Sequence, residues 1–250
     1  MKKISSIATI VVSLSLFFAS CIGFIAKETK KGDGELITKS IAISDFAKID
    51  IETYVEINYS QAPNSGNLEF TVDNNLWKYY DIYTEKDVLH VKLKDHYKKN
   101  INPNPTKILL TVSSEQLEKI SIAGSSNINF CTDFTSKKLS VKVAGSGKII
   151  ANQHPVEIED FEIGIAGSGN VQLKGSIQKA GIDIAGSGKV NALGCEIAQL
   201  KIDIAGSGSV EAQITDKLVV NIAGSGSVKY KGNPDIIKTD IAGSGKIVKL

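Results

Sequence analysis

The chain has no arginine: all 29 of its basic residues are lysine. It therefore lacks the planar guanidinium fork that grips carboxylates and phosphates at two points. Any oxyanion-stabilising or acid-binding role would fall to lysine. Methionine and tryptophan occur once each, and histidine only at His90, His96 and His154. No phosphate loop, zinc-ligand spacing or dinucleotide fingerprint is present. An excess of one charge is missing too. Setting aside Lys2 and Lys3 leaves 27 basic against 27 acidic residues, so no global field attracts nucleic acid, and none is expected as a partner.

Cysteine is sparse, with Cys21, Cys131 and Cys195. Lys2 and Lys3 precede an apolar run from Ile4 to Phe18, and Ala19 and Ser20 stand just before Cys21. A positive start, an apolar stretch and small residues before a cysteine resemble a bacterial lipoprotein signal. This implies cleavage of residues 1–20, lipidation of Cys21 and a polar tether to residue 34, with membrane attachment through lipid rather than a spanning segment. The alternative is an uncleaved anchor, because Ile22 to Ala26 prolongs the apolar run towards the roughly 20 residues that cross a bilayer. Either way the bulk of the chain lies outside the cytoplasm, as an outer-membrane lipoprotein on the periplasmic face or the cell surface.

Aromatics run out early: 14 of 16 precede residue 135, leaving Phe161 and Tyr230 beyond it. Residues 35–118 alternate with period two (Ile49, Ile51, Val55, Ile57) and read as successive strands forming an aromatic-rich β cap. Trp77, Tyr79, Tyr80 and Tyr83 offer two readings, a sugar-stacking platform or core filling. Lys92, Lys94, Lys98 and Lys99 with His90 and His96 form a local basic patch, either a phosphate or acidic-glycan site or a solvated strand face.

What dominates is repetition over residues 119–250. Ala-Gly-Ser recurs seven times, at Ala123, Ala144, Ala166, Ala185, Ala205, Ala223 and Ala242, in steps of 21, 22, 19, 20, 18 and 19 residues. Six copies carry a second glycine: Gly145-Ser146-Gly147, Gly167-Ser168-Gly169, Gly186-Ser187-Gly188, Gly206-Ser207-Gly208, Gly224-Ser225-Gly226 and Gly243-Ser244-Gly245. The first has Gly124-Ser125-Ser126. One residue before each alanine comes a β-branched residue without exception (Ile122, Val143, Ile165, Ile184, Ile204, Ile222, Ile241). Two before comes a mostly polar column ending Asp183, Asp203, Asn221, Asp240, and three before an apolar column from Ile120 to Ile202 and Val220, closing on Thr239. A step near 20 with this alternation reads as strand, tight turn, strand. No rung buries its apolar row alone, so parallel stacking into two facing sheets is expected, with Gly-Ser-Gly as the corner. The fold class is an all-β single-stranded parallel β-solenoid of about seven corner rungs with an N-terminal β cap, residues 35–250 forming one continuous domain.

These serial corners, Asp45-Phe46-Ala47-Lys48-Ile49-Asp50-Ile51 ahead of them and the lipoprotein-type start resemble the putative auto-transporter adhesin head GIN domain family of Bacteroidetes, over roughly residues 40–250. The resemblance implies a right-handed β-helix of the pectin-lyase type without its catalytic residues, and a role in adhesion to a host or environmental glycan or protein.

Two columns carry candidate chemistry. Asp183, Asp203, Asn221 and Asp240 on adjacent rungs would place carboxylates about 4.8 Å apart, a spacing that a hard cation such as calcium relieves. A calcium-dependent polysaccharide lyase is the enzymatic alternative, with Lys201 or Lys142 as base; a solvated polar face is the plain one. The corner serines suit hydrogen bonding to turn backbone better than catalysis, since seven equivalent hydroxyls share no dedicated base; a periodic glycan is their other use. No cofactor or resident metal is expected. Cys131 and Cys195 lie three rungs apart, about 14 Å, too far for a disulfide, so two buried free thiols are expected. Only Lys246 to Leu250 follow the last corner, so an open edge is expected there, suited to self-association or to an envelope structural or assembly role.

Overall fold

A computed structural model describes residues 27–250; the signal segment and the lipidation expected at Cys21 lie outside the described residues. The N-terminal part contains β1 (Glu28–Lys31), β2 (Leu36–Ala42), β3 (Lys48–Ile51), β4 (Glu56–Gln61), β5 (Asn67–Asp73), β6 (Tyr80–Glu85), β7 (Val88–Leu93), β8 (Ile101–Asn104) and β9 (Ile108–Ser114), with a single 3-10 turn (Trp77–Tyr79) and one short α-helix, α1 (Asp95–Lys98). The repeats supply β10 (Lys119–Gly124), β11 (Asn127–Phe130), β12 (Phe134–Gly145), β13 (Lys148–Gly167), β14 (Asn170–Gly186), β15 (Lys189–Gly206), β16 (Ser209–Gly224), β17 (Ser227–Lys231), β18 (Ile236–Gly243) and β19 (Lys246–Lys249). Among the described residues the strand pairings run from Glu28 to Lys249, so a fragment beginning at Lys27 retains all of them.

The repeats stack as parallel coils. On the face before the corner, Ile120 pairs with Val141, then Ile163, Ile182, Ile202, Val220 and Thr239, one residue per rung. After the corner, Ile128, Ile149, Val171, Val190, Val210, Val228 and Ile247 do the same. Residues of like shape therefore lie over one another, and the columns from Ile120 to Val220 and from Ile128 to Val228 are buried. The β-branched side chains fit this pleated, fully enclosed setting.

A rung has three inward runs rather than the two expected. In β13 these are Ile149 and Ala151, then Val156 and Ile158, then Phe161, Ile163 and Ile165, with the alternation breaking between each set. The middle run forms a third parallel face in which Ser136, Ile158, Ile177, Ile197 and Ile214 are in register. Two apolar runs without a constant turn between them do not announce a separate face in sequence. Cys195 sits in this face and is buried; Cys131 is exposed, against the expectation that both thiols would be interior, and both are free.

The parallel ladder does not stop at the first glycine corner. β3 pairs in parallel with β10, and β7 with β3; β4 pairs with β11, and β9 with β4. Two further rungs therefore lie inside the stretch read as a cap. Antiparallel strands then end the ladder: β6 on β7, β5 on β9 and β2 on β5. The corner beneath the first repeat is Glu52-Thr53-Tyr54, without glycine, and this accounts for Ser126. Its buried hydroxyl donates to the Thr53 carbonyl at 2.6 Å and accepts from the Val55 amide at 3.0 Å.

Aromatic packing fills the wider N-terminal core. Tyr59, Phe130 and Phe134 meet edge to face at 5.1–6.2 Å, and Phe70 lies against Trp77 and Tyr80. Asp73, fully buried, accepts from the amides of Gly34 and Thr106 and from the Thr106 hydroxyl at 2.6–2.9 Å, pinning two crossing segments. At the other end all eight residues of β18 are exposed, Ile236, Ile237 and Ile241 among them.

Candidate functional site

The corner is a backbone device with two different glycine requirements. Gly167 has φ +124°, and a side chain there would bring Cβ to 2.5 Å from the Gly145 carbonyl of the rung before. Gly169 faces inward, where Cβ would fall 2.8 Å from Val143 Cγ1 and 3.1 Å from Ile165 Cγ2. The first glycine therefore answers to conformation and close stacking, the second to the bulk of the β-branched column.

Between them, the Ser168 amide donates to the Gly145 carbonyl at 2.8 Å, and the same bond recurs from Ser146 to Ser244 at 2.8–2.9 Å. The turn backbone is thus satisfied by its own neighbours. The serine hydroxyls, expected to do this, point outward instead and are exposed in all seven copies. The corner edge of the solenoid is a line of hydroxyls flanked by alanine, one set per rung.

The acidic column is in register as read: Gly164, Asp183, Asp203, Asn221 and Asp240 are consecutive partners. Asp203 is engaged on both oxygens, by the Lys201 ammonium and by Asn221 Nδ2 at 2.6 Å. The hydrogen bond to Asp203 raises the Lys201 pKa. Asp183 is pushed above the usual carboxylate value, first by partial burial and then by the neighbouring Asp203 charge, with Lys201 opposing. The Lys201 ammonium and the Asn221 amide thus supply to Asp203 part of the compensation that a cation would give. Among the described residues no three His, Cys, Asp or Glu side chains gather closely enough to hold a metal.

The N-terminal candidates separate in the fold. Tyr79 and Tyr80 are buried and Trp77 packs against the core, so these three fill the interior rather than form a stacking platform. Tyr83 stays at the surface, stacked on His90 at 5.0 Å with Lys92 over its ring. Three of the six members of the basic patch are matched by acids: Lys92 with Asp95, Lys98 with Glu52, and His90 with Asp50 at 3.8 Å. Sequence reasoning passed over Asp73 and Ser126 as interior polar anchors. The only signals were a turn-like Asp73-Asn74-Asn75 and the single irregular corner.

The family model described as putative auto-transporter adhesin, head GIN domain, matches residues 45–234. Similar solved structures include one described as a putative lipid binding protein from Parabacteroides distasonis. It is 26% identical, with a TM-score of 0.76 over 89% of this chain and 100% of that one. A putative adhesin from Parabacteroides merdae is 25% identical, with a TM-score of 0.66 over 89% and 99% of the two chains. A putative adhesin from Bacteroides fragilis, 23% identical over 88% and 100% with a TM-score of 0.79, shows the fold alone. No curated protein matches the chain. The matched span takes in all seven residues of the Asp45–Ile51 motif, both N-terminal rungs and six of the seven glycine corners, and on that evidence the chain belongs to the auto-transporter adhesin head GIN domain family.

Proposed function

We propose that the chain is a non-catalytic binding module of the cell envelope, an adhesin tethered by a lipid on Cys21 that presents the outside of its solenoid to a ligand. The observation that carries this reading is the division between inside and outside. The interior columns are filled with buried Ile, Val, Leu and Ala, whereas the seven corner hydroxyls and the polar columns all face solvent. A rigid stack of this kind gives a long surface of fixed spacing, the usual asset of repeat scaffolds in recognition. Support for the non-catalytic part comes from Lys201, the candidate base, which is bound to Asp203, and from serines that share one environment rather than one activated member.

The test is a binding screen of residues 27–250 against glycan and extracellular-matrix arrays, with proteinase accessibility on intact cells for display. Saturable binding by the wild type is expected, together with lipid labelling that Cys21→Ser abolishes. The enzymatic alternative is checked on polygalacturonate with millimolar calcium. Release of unsaturated uronate, lost in Asp203→Asn, would overturn the non-catalytic reading.

A further inference from the structure

The steps between corners are unequal, and the excess is placed where a ligand could use it. The chain takes 22 residues from Ala144 to Ala166, 19 from Ala166 to Ala185 and 20 from Ala185 to Ala205. Register is continuous through the corners, so the difference falls mainly at the bend between the second and third faces. Ala151 and Val156 pair with Leu173 and Gly175, so Asn152 to Pro155 stand opposite Lys174 alone. On the other side, Gln172 and Lys174 pair with Asn191 and Gly194, so the next rung also carries one residue more. The middle rung is therefore recessed between two longer turns. Such irregularities re-aim side chains locally without disturbing the ladder around them.

The recess is a notch of about 190 Å³ lined by Asn152, Gln172, Leu173, Lys174, Asn191 and Gly194. Its size corresponds to about six water molecules. Its lining has three carboxamides, one ammonium and no carboxylate, over the nearly buried Leu173. Asn152 Nδ2 donates to Gln172 Oε1 at 2.8 Å, and Asn191 Oδ1 accepts from the Leu193 amide at 3.2 Å. Those two bonds orient the amides and leave Gln172 Nε2 and Asn191 Nδ2 as donors and Asn152 Oδ1 as an acceptor. Neighbouring sugar hydroxyls each donate and accept, which is what adjacent carboxamides complement. An apolar floor suits the C–H face of a pyranose, and the unneutralised lining charge suits one anionic group.

We propose that this notch is a saccharide subsite that takes one unit of an acidic glycan, its hydroxyls on Gln172 and Asn191 and its carboxylate or sulfate on Lys174. The proposal rests on the binding-module reading and names the ligand class. Gly194 supplies the control. Its backbone is outside the left-handed region, and an added Cβ would meet nothing nearer than 3.7 Å, so Gly194→Trp fills the notch without backbone strain.

The experiment titrates ¹⁵N-labelled residues 27–250 with three oligosaccharides: oligogalacturonate, sulfated chondroitin hexasaccharide and neutral maltohexaose. The first two separate carboxylate from sulfate as the anion. Shifts of the Gln172 and Asn191 side-chain amide signals are expected with at least one acidic oligosaccharide. These shifts should disappear in Gly194→Trp, and affinity should fall about fivefold in Lys174→Gln. Equal binding of maltohexaose, or acidic binding that Gly194→Trp leaves intact, would overturn the subsite. If the arrays detect a ligand that Gly194→Trp still binds, the module reading stands and the notch falls. If the wild type binds nothing on the arrays and none of the three oligosaccharides, both fall.

Discussion

The inward glycine of each corner makes a sharp test of the packing argument, and Gly188 is the best placed. A Cβ at this position would lie 2.7 Å from Ile165 Cγ2 and within 3.3 Å of two more Ile165 atoms, all in the preceding rung. Ile165 is held on both sides by its column and is 2% exposed, so it has little room to retreat. Forcing one methyl group into such a site costs about 1–3 kcal/mol. Gly164→Ala is the matched control, because a Cβ there meets nothing within 4 Å and its φ is unremarkable. That change should stay within about 0.5 kcal/mol of wild type. Urea unfolding of residues 27–250 gives both values. Amide exchange should show the loss concentrated in the rungs around Gly188, since each coil of a solenoid contacts mainly its neighbours. Ile165→Ala removes the clashing atom but opens a cavity, costing about 2–5 kcal/mol alone. Combined with Gly188→Ala, the two should total less than their sum, by about 0.5–3 kcal/mol. A neutral Gly188→Ala, or strict additivity in the pair, would refute the view that this glycine is kept by side-chain bulk in the preceding coil.

Asp73→Asn should cost about 2–4 kcal/mol, the worth of replacing charge-assisted hydrogen bonds by weaker or mismatched ones. Burial works to raise the Asp73 pKa, but the bonds from Thr106 and from the Gly34 and Thr106 amides outweigh it and hold the value below the usual 3.8. Its contribution is therefore full above the unfolded carboxylate pKa and is lost as pH falls through the lower folded value, so the mutant should have a flatter acid-side unfolding profile. Asp183 has the opposite sign. Its raised pKa means that ionisation opposes folding as pH rises, so Asp183→Asn should stabilise at neutral pH by less than about 1 kcal/mol, the advantage fading in acid. In residues 27–250, Ellman's reagent should titrate one thiol in the native state, Cys131, and two after unfolding, because burial pushes the Cys195 thiol up to about 12; two fast thiols would contradict the third face. The apolar side chains exposed on β18 should give concentration-dependent self-association that Ile237→Lys abolishes, and sedimentation showing a monomer throughout would remove that expectation.

How much could be read in advance follows from where the signal repeats. A residue in one coil pairs with its counterpart about 20 residues on, so a pattern that recurs at that interval states its own register. The Ile122 to Ile241 and Ile120 to Thr239 columns, and the in-register Asp183 to Asp240 set, were legible for that reason. The third face was not, because Val156-Glu157-Ile158 and its counterparts follow turns of unequal length. The two N-terminal rungs were hidden as well: β3 and β4 join through Glu52-Thr53-Tyr54, which has none of the corner glycines, and Ser126 makes up the missing bonds.

By itself, the sequence determined the parallel solenoid, its corners and the inward columns, since β-branched alternation and obligatory glycine act locally and are repeated rung after rung. Only the tertiary structure decided which polar groups remained free. The corner serines are left to solvent because the amide ladder already satisfies the turn, whereas Asp203 is taken up by Lys201 and Asn221. The unequal steps were visible as numbers along the chain, but a recess exists only once neighbouring coils are stacked and the shorter bend at Lys174 lies between longer ones.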